Sequence, residues 1–492
     1  MSCSNEDVAV TIDGRKTPAA KRRGHLEHFA AKHPRFWVTL SRFLSPVEHL
    51  IKKPLWGCQM CGQCILHETG LTCPMGCPKS MRNGPCGGLG PGGECEVEPT
   101  MKCVWLKAHH RDPKLPWKGH IRALQPPLDW SLKGSSSWLN FLSGRDNHVA
   151  VEFPRALQRV SDVPRTDGKF EELLNNKNRW IVVGEVNPPD GATVDQFVAT
   201  GKGLDQIVDV VSVTEHPAAR NHMSSVPAAA VLERAGVETI CTFTCRDKNR
   251  IALQGDILGA AALGIRNVLL VTGNHMVLGD HPNAKPVFDL DSINLLRLVK
   301  RLRDEGIYES GRALDAAPQL LLGAVAAPFA APIEDRPARV SKKVSAGADF
   351  IITQHVFEID LFRNFVGRLV DLGLTETTGV LAGIAVLPSP EVAHRLNSVL
   401  TGFTIPNETV RRLEQAKDPQ ATGIEIAVEL IQQLQDIPGL RGNLIAALAS
   451  GSHVMTSGIE EVEITRAVVG EAVKRGDTPV KSPDPAEGRR AT

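Results

Sequence analysis

Two sets of residues in this sequence could carry chemistry. The first is a run of thiols, Cys58-x2-Cys61-x2-Cys64-x8-Cys73-x3-Cys77-x8-Cys86, followed by Cys95 and Cys103. Thiols at this density in a reducing compartment read as metal binding or redox chemistry rather than disulfides. Three cysteines two residues apart, with proline after Cys73 and Cys77, have the spacing by which a short loop holds three corners of a [4Fe–4S] cube. Structural zinc uses Cys-x2-Cys pairs, and His67 offers a nitrogen ligand. Eight thiolates satisfy two cubanes, or one cubane and one zinc, and spacing alone leaves the metal open.

The second set consists of polar residues that end otherwise apolar runs: Gly184-Glu185-Val186-Asn187, Val213-Thr214-Glu215-His216, Phe243-Thr244-Cys245-Arg246-Asp247, Val271-Thr272-Gly273-Asn274-His275 and Ile352-Thr353-Gln354-His355. Polar groups that recur at the ends of buried strands mark a site more often than packing. Cys245 has no base nearby in sequence to activate it, so it reads as a packing residue. Arg246, Asp247 and Arg250 read as a charged network at the rim, with phosphate or nicotinamide contact as the alternative.

The elements that must position these groups follow from periodicity. Short apolar runs at Trp180–Val186, Ile207–Thr214, Thr239–Cys245, Val268–Gly273, Leu320–Ala327, Phe350–Val356, Val380–Leu387 and Leu444–Ala449 alternate with amphipathic segments. Eight continuous apolar strands separated by helices predict an α/β fold, a (β/α)8 TIM barrel, with a doubly wound sheet as the alternative. Ahead of it, Phe36–Ile51 has helical spacing, and Pro46 is expected to split it into two short helices. The cysteine segment, crowded with Gly and Pro, cannot bury enough apolar surface to fold unaided, and metal ligation would supply the missing stability. Trp105, Trp117, Trp130 and Trp138 are expected to dock a wrapping linker on its neighbours.

The expected organisation is therefore a disordered 1–34, a cysteine-rich metal module over 35–110, a linker over 111–172, the barrel over 173–475 and a disordered tail over 476–492. Among 492 residues, 56 Lys and Arg balance 55 Asp and Glu, which argues against a nucleic-acid binder. The longest apolar stretch, Leu320–Ile333, is interrupted by Pro328 and falls short of the ~20 residues of a membrane span. Lys21, Arg22 and Arg23 precede no apolar segment, so no secretory signal is read and the cytoplasm is the expected compartment.

The strand-end residues, with "GEVNPP", "TFTCRDKNRIALQGDILGAAALGIRNVLLVTGNH", "GDHPNAKPVFDLDS" and "FIITQHVFE", resemble the methylenetetrahydrofolate reductase family over roughly residues 175–470. "CQMCGQC" and "MRNGPCGG" resemble a cysteine-rich domain fused to, or encoded with, that reductase in some bacteria. The resemblance implies a flavin, FAD with FMN as the alternative, in the barrel mouth. It also implies hydride exchange between 5,10-methylenetetrahydrofolate and 5-methyltetrahydrofolate by a ping-pong route, in one-carbon metabolism that feeds methionine biosynthesis. Glu185 matches the family's general acid, which protonates the imidazolidine ring beside N10. Gln354 matches the glutamine that hydrogen-bonds the pterin, and Thr214 a threonine near the flavin ring. Lys343 falls where the family places a flavin-phosphate lysine, with Lys342 as a substitute, and Thr244, Gly273, Asn274 and Ala326 complete the implied cofactor contacts. Folate, NADH or NADPH, or a ferredoxin-like electron donor are the implied partners, and an oligomer is expected.

The sequence departs from the family twice. Asn274 stands where the family has an aspartate near flavin N1. A neutral amide there should stabilise the anionic reduced flavin, raise its potential and favour the oxidative direction. Ala326-Ala327-Pro328 lacks the tyrosine that some relatives place beside the flavin, and Tyr308 is the only tyrosine in the chain. These departures would also suit a folate-binding scaffold that has lost hydride transfer, and the cysteines would suit a zinc-dependent methyltransferase using methylfolate.

Overall fold

A computed structural model describes residues 29, 30, 32–90, 92–146, 164–399, 402, 404–448 and 459–474. The tail expected to be disordered, and all but the last few of residues 1–34, lie outside them. The described residues of Met1–Gly84 and Val104–Phe153 form one compact unit, and those of Pro85–Cys103 and Pro154–Thr492 form a second.

In the first unit the helices are α1 (Pro34–Trp56), α2 (Val104–Arg111) and α3 (Ser137–Leu142). The expected break at Pro46 does not occur; α1 is continuous, with Pro46 and Pro54 inside it. It is pinned on both sides of Pro46, which offsets the lost backbone bond. Ser41 Oγ accepts from the Ser136 amide at 2.8 Å, and Glu48 accepts from Ser136 Oγ at 2.7 Å and from Ser137 Oγ. Trp37 packs with Ala30 and Leu139 in a small core. Trp105 is buried and donates to the Met81 carbonyl at 3.0 Å, and Trp117 stacks on His67 and donates to its carbonyl at 2.9 Å. Trp130 and Trp138 stay about 40% exposed, and Lys52 Nζ lies over the Trp138 ring at 5.0 Å.

The second unit is a closed barrel of eight parallel strands in sequence order. They are β1 (Ile181–Val186), β2 (Val210–Val213), β3 (Thr239–Thr244), β4 (Asn267–Val271), β5 (Leu321–Ala326), β6 (Phe350–His355), β7 (Gly379–Val386) and β8 (Gly442–Ala447). β8 pairs back onto β1 through Ile181 and Gly442, so the fold is the (β/α)8 barrel and not the open sheet. Each strand is covered on both faces, which is why each reads as a continuous apolar run.

Inward-facing Ile181, Val183, Val210, Ile240, Leu269, Leu321, Phe350, Ile352, Leu381 and Leu444 fill the interior. Gly323 makes room for this layer, because a Cβ there would stand 2.2 Å from the Phe350 ring. The helix Lys169–Asn175, α4, closes the N-terminal end with Phe170, packed edge-on against Phe350 at 5.1 Å. Its first amides are held by the Glu238 carboxylate at 3.0 and 3.1 Å, which suits a helix N-terminus. At the same end, buried Asp349 accepts from Arg303 Nη1 at 2.7 Å and from the Leu322 amide at 2.8 Å, and pairs with Arg165 at 2.6 Å. Among the described residues no helix is long and apolar enough to cross a membrane.

Candidate active site

Side chains alternate along a strand, so the residues that follow the core layer toward the C-terminal ends also face the axis. In β1 the inward series Ile181, Val183 continues to Glu185, and in β3 Ile240 continues through Thr242 to Thr244. Burial pushes the Glu185 carboxyl up to about 7, with no ion pair opposing the shift. Glu185 therefore holds a proton near neutrality and can release it to a basic atom in the mouth.

β6 has an irregular register against β7 between Ile352 and His355, and Thr353 Oγ1 accepts from the Gly383 amide at 3.1 Å. Such irregularities re-aim side chains. Gln354 lies in this stretch, and its Oε1 is a buried oxygen without a hydrogen-bond partner. Beside it, burial pushes the His355 imidazole down to about 4, so the ring is neutral.

The other expected site residues fall around the same end. Thr214 Oγ1 donates to Asn187 Oδ1 at 2.7 Å. Thr244 Oγ1 lies 3.4 Å from Asp247 Oδ2, and Gly273, at φ +86°, packs so closely on Thr244 that a Cβ would stand 3.0 Å from its Cβ. Arg246 is buried, bonds Asp247 from Nε and Nη2, and donates from Nη1 to the Asn274 carbonyl at 3.3 Å. Arg250 pairs with Asp289 at 2.8 Å and Glu309 at 3.0 Å, which gives the rim network a structural role. Ala326 is buried at the end of β5. Lys343 Nζ donates to the Val325 carbonyl, and burial pushes its amine down to about 7. Burial also raises the Cys245 thiol well above its ordinary value, in keeping with a packing role.

Sequence reasoning passed over Glu215 and Lys248. The buried Glu215 carboxylate accepts from the Ser225 amide at 2.7 Å and pairs with Lys248 at 3.2 Å. Glu215 stood in a strand-end tetrad, but nothing in the spacing connected it with Lys248. It also passed over Gly87 and Gly402. A Cβ on Gly87 would stand 3.1 Å from Ala327 Cβ and 3.2 Å from Gln354 Nε2, and one on Gly402 would stand 2.2 Å from the Gly87 carbonyl oxygen.

The expected metal ligands divide between the units. Cys58, Cys61, Cys64 and Cys73 line one pocket of the first unit with Met60, Ile65, Leu66, Pro74 and Met75. Lys52 Nζ lies 3.6 Å from Cys64 Sγ and 2.6 Å from Glu48. Burial pushes the Cys73 thiol up to about 11. Cys77 belongs to the same unit but does not line this pocket, and Cys86, Cys95 and Cys103 belong to the second unit. His67 is stacked on Trp117 and is not a pocket residue. Among the described residues no group of three or more Cys, His, Asp or Glu side chains that could hold a metal ion is found.

A closed parallel barrel with a carboxyl raised to about 7 and a buried amide oxygen without a hydrogen-bond partner at the C-terminal ends of its strands is a (β/α)8 barrel with polar groups placed where such barrels carry their sites. Residues 169–456 match the family model described as methylenetetrahydrofolate reductase, and the chain belongs to that family. A second model, described as methylene-tetrahydrofolate reductase C terminal, matches residues 39–131. The chain is 27% identical over 279 residues to a probable methylenetetrahydrofolate reductase (NADPH) of Caenorhabditis elegans, covering 54% of this chain and 40% of that one. It is 26% identical over 241 residues to methylenetetrahydrofolate reductase 2 of Schizosaccharomyces pombe, covering 46% and 36%. The matched region thus spans less than half the length of these curated relatives. Among solved structures, an uncharacterized protein from Clostridium thermocellum, described as binding two copies of 5-methyl-5,6,7,8-tetrahydrofolic acid, aligns with a TM-score of 0.44 and 14% identity, over 62% of this chain and 98% of that one.

Proposed function

We propose that the barrel is a flavin-dependent methylenetetrahydrofolate reductase, interconverting 5,10-methylenetetrahydrofolate and 5-methyltetrahydrofolate at its C-terminal mouth. The observation that carries this reading is the pairing of functions at one end of the barrel: a Glu185 carboxyl that keeps its proton to about pH 7, and a Gln354 oxygen that lacks a donor. Glu185 delivers its proton to N10 of the folate, which opens the five-membered ring. Gln354 Oε1 accepts from a pterin N–H, and the amide Nε2 is free to donate to the same edge.

The mouth suits a flavin. Gly273 in its left-handed conformation, with Thr244 packed against it and Asn274 next in sequence, offers backbone and neutral polar groups to a flat ring, Thr214 adds a hydroxyl at the end of β2, and Lys343 and Lys342 are the amines for a phosphate. A bound flavin supplies the hydride relay between the nicotinamide and the one-carbon unit. Asn274 presents no negative charge to that ring, which supports the oxidative direction. Asn274→Asp is expected to lower the flavin potential by about 30 mV, for roughly 1.4 kcal/mol of added repulsion. A photoreduction titration reads it, and an unchanged or raised potential refutes the role given to Asn274.

In the first unit, Cys58, Cys61, Cys64 and Cys73 line one pocket together with Glu48, Gln63, Arg82 and Ser137, and four thiols on one pocket, three of them in Cys-x2-Cys-x2-Cys spacing, support an iron–sulfur cluster as the reading to test. Protein purified under anaerobic conditions should contain iron and sulfide. Cys64→Ser is expected to lose most of both, while His67→Ala keeps them. Stoichiometric zinc in colourless protein excludes the cluster. The function as a whole is tested by the spectrum of the same preparation: bound flavin should be bleached by NADH or NADPH and reoxidised by methylenetetrahydrofolate.

A further inference from the structure

The hairpin of residues 85–103 precedes β1 by more than seventy residues, yet it packs in one unit with the barrel. It is rigid. Leu89 bridges Cys95 and Glu94 bridges Lys102 in antiparallel fashion. The Gly90 amide donates to the Glu94 carbonyl at 2.9 Å, the Cys95 amide to Met101 at 2.9 Å and the Cys103 amide to Gly93 at 3.0 Å. Leu89 is buried.

An anchor fixes the hairpin to the barrel. Arg336 opens the helix Arg336–Ser345 and is buried. Its guanidinium donates to the carbonyls of Ala330 at 2.6 Å and Ala331, and to that of Cys86 at 3.0 Å. The anchored carbonyl immediately precedes Gly87, so the backbone at Gly87 is held where it meets the barrel. There it faces Ala327, after β5, and the Gln354 carboxamide on β6. Gly402 lies against both: a Cβ on it would stand 3.0 Å from Gln354 Oε1 and 2.2 Å from the Gly87 carbonyl oxygen.

The Gln354 carboxamide is thus enclosed by two residues without side chains. Its Oε1 still lacks a partner although the wall around it is built. A buried acceptor left unmade costs about 1–3 kcal/mol, so a wall that encloses one without satisfying it is shaped for a ligand that brings a donor.

We infer that the hairpin is the outer wall of the folate site, and that Gly87 and Gly402 position the Gln354 amide to receive the N–H edge of the pterin. This rests on the reading of the barrel mouth as a folate site and adds to it a positioning element from outside the barrel. Gly87 acts through Gln354. It need not touch the ligand, and its missing side chain is what it contributes. The sequence feature behind it is the Gly87-Gly88 pair after Cys86. A Cβ on Gly88 would overlap the Glu96 carboxylate across the hairpin, so the two glycines serve different neighbours.

The test is a double-mutant cycle read by methyltetrahydrofolate binding to the purified full chain. Gly87→Ala should weaken the Kd about tenfold, and so should Gln354→Ala, while the double variant is no weaker than Gln354→Ala alone, because the alanine acts only through the amide it displaces. Additive losses, or no loss in Gly87→Ala, overturn the inference. Lys102→Ala, on the exposed Glu94 pair of the same hairpin, should bind as wild type does; a loss there equal to that of Gly87→Ala also overturns it.

Hydrogen exchange in the wild-type protein covers the case in which a glycine variant fails to fold. Methyltetrahydrofolate should slow exchange at residues 87–89 together with 353–355. Slowing at 353–355 with no change in the hairpin overturns the wall while sparing the folate reading. Wild-type protein that binds no methyltetrahydrofolate overturns both.

Discussion

Glu185→Gln is expected to slow the folate half-reaction by about 10²–10⁴-fold, the range over which a positioned general acid acts. The carboxamide keeps the shape and the hydrogen-bonding capacity of a protonated glutamate, so folate should still bind and the fold should be unaffected. What it loses is an acidic proton for N10, without which the ring does not open. Flavin reduction by the nicotinamide needs no proton from this residue and should proceed near the wild-type rate. The pH dependence follows from the same carboxyl. Burial holds its pKa at about 7, so the protonated, competent form dominates below that pH and is lost above it. Methylenetetrahydrofolate reduction limited by chemistry should be level in mild acid and fall roughly tenfold per unit well above pH 7, and Glu185→Gln should abolish that dependence. Stopped-flow measurement of the two half-reactions separates these outcomes. A folate rate that falls by less than threefold, or a pH profile that survives the substitution, removes Glu185 from the acid role.

Asp349→Ala is expected to cost about 3–5 kcal/mol and to lower the melting temperature by roughly ten degrees. Asp349 lies at the N-terminal end of β6, far along the strand from Gln354. Its carboxylate holds Arg303, Arg165 and the Leu322 amide. Removing it strands the buried Arg303 guanidinium, which keeps only Asp304 and the Leu320 carbonyl. The penalty comes from that uncompensated charge and not from the worth of the pair, so Arg303→Met combined with Asp349→Leu should recover much of it. Flavin content and kcat per folded molecule should stay unchanged in Asp349→Ala, because this end of the barrel serves stability. Calorimetry with activity measured below the transition checks both. A variant that melts within two degrees of wild type contradicts the network's role.

The barrel was legible because parallel strands buried on both faces become unbroken apolar runs, and all eight runs correspond to strands. Several ends were read one or two residues too long, as at Thr214 and Gly273, which follow the ladder half-buried, while the starts of β4, β7 and β8 were read one or two residues late. Glu185 was legible because a carboxylic acid ending such a run has no packing reason to be there. The continuous α1 was not: proline propensity is local, whereas the bonds from Ser136 and Ser137 that carry the helix across Pro46 come from about ninety residues away. The wall at Gly87 was hidden for the same reason, since its neighbours Ala327, Gln354 and Gly402 lie more than two hundred residues along the chain. Cysteine spacing grouped the eight thiols into one module but could not divide them between units, because that division depends on where residues 85–103 pack.

The central claim is that this barrel exchanges a hydride with folate through a bound flavin, and the most direct test is anaerobic mixing of the oxidised, flavin-loaded protein with 5-methyltetrahydrofolate. The visible absorbance of the flavin should bleach with formation of one equivalent of methylenetetrahydrofolate, and the bleaching should be slowed about 10²–10⁴-fold in Glu185→Gln. A flavin spectrum that saturating methyltetrahydrofolate leaves unchanged, in protein that NADH or NADPH reduces normally, would contradict the account.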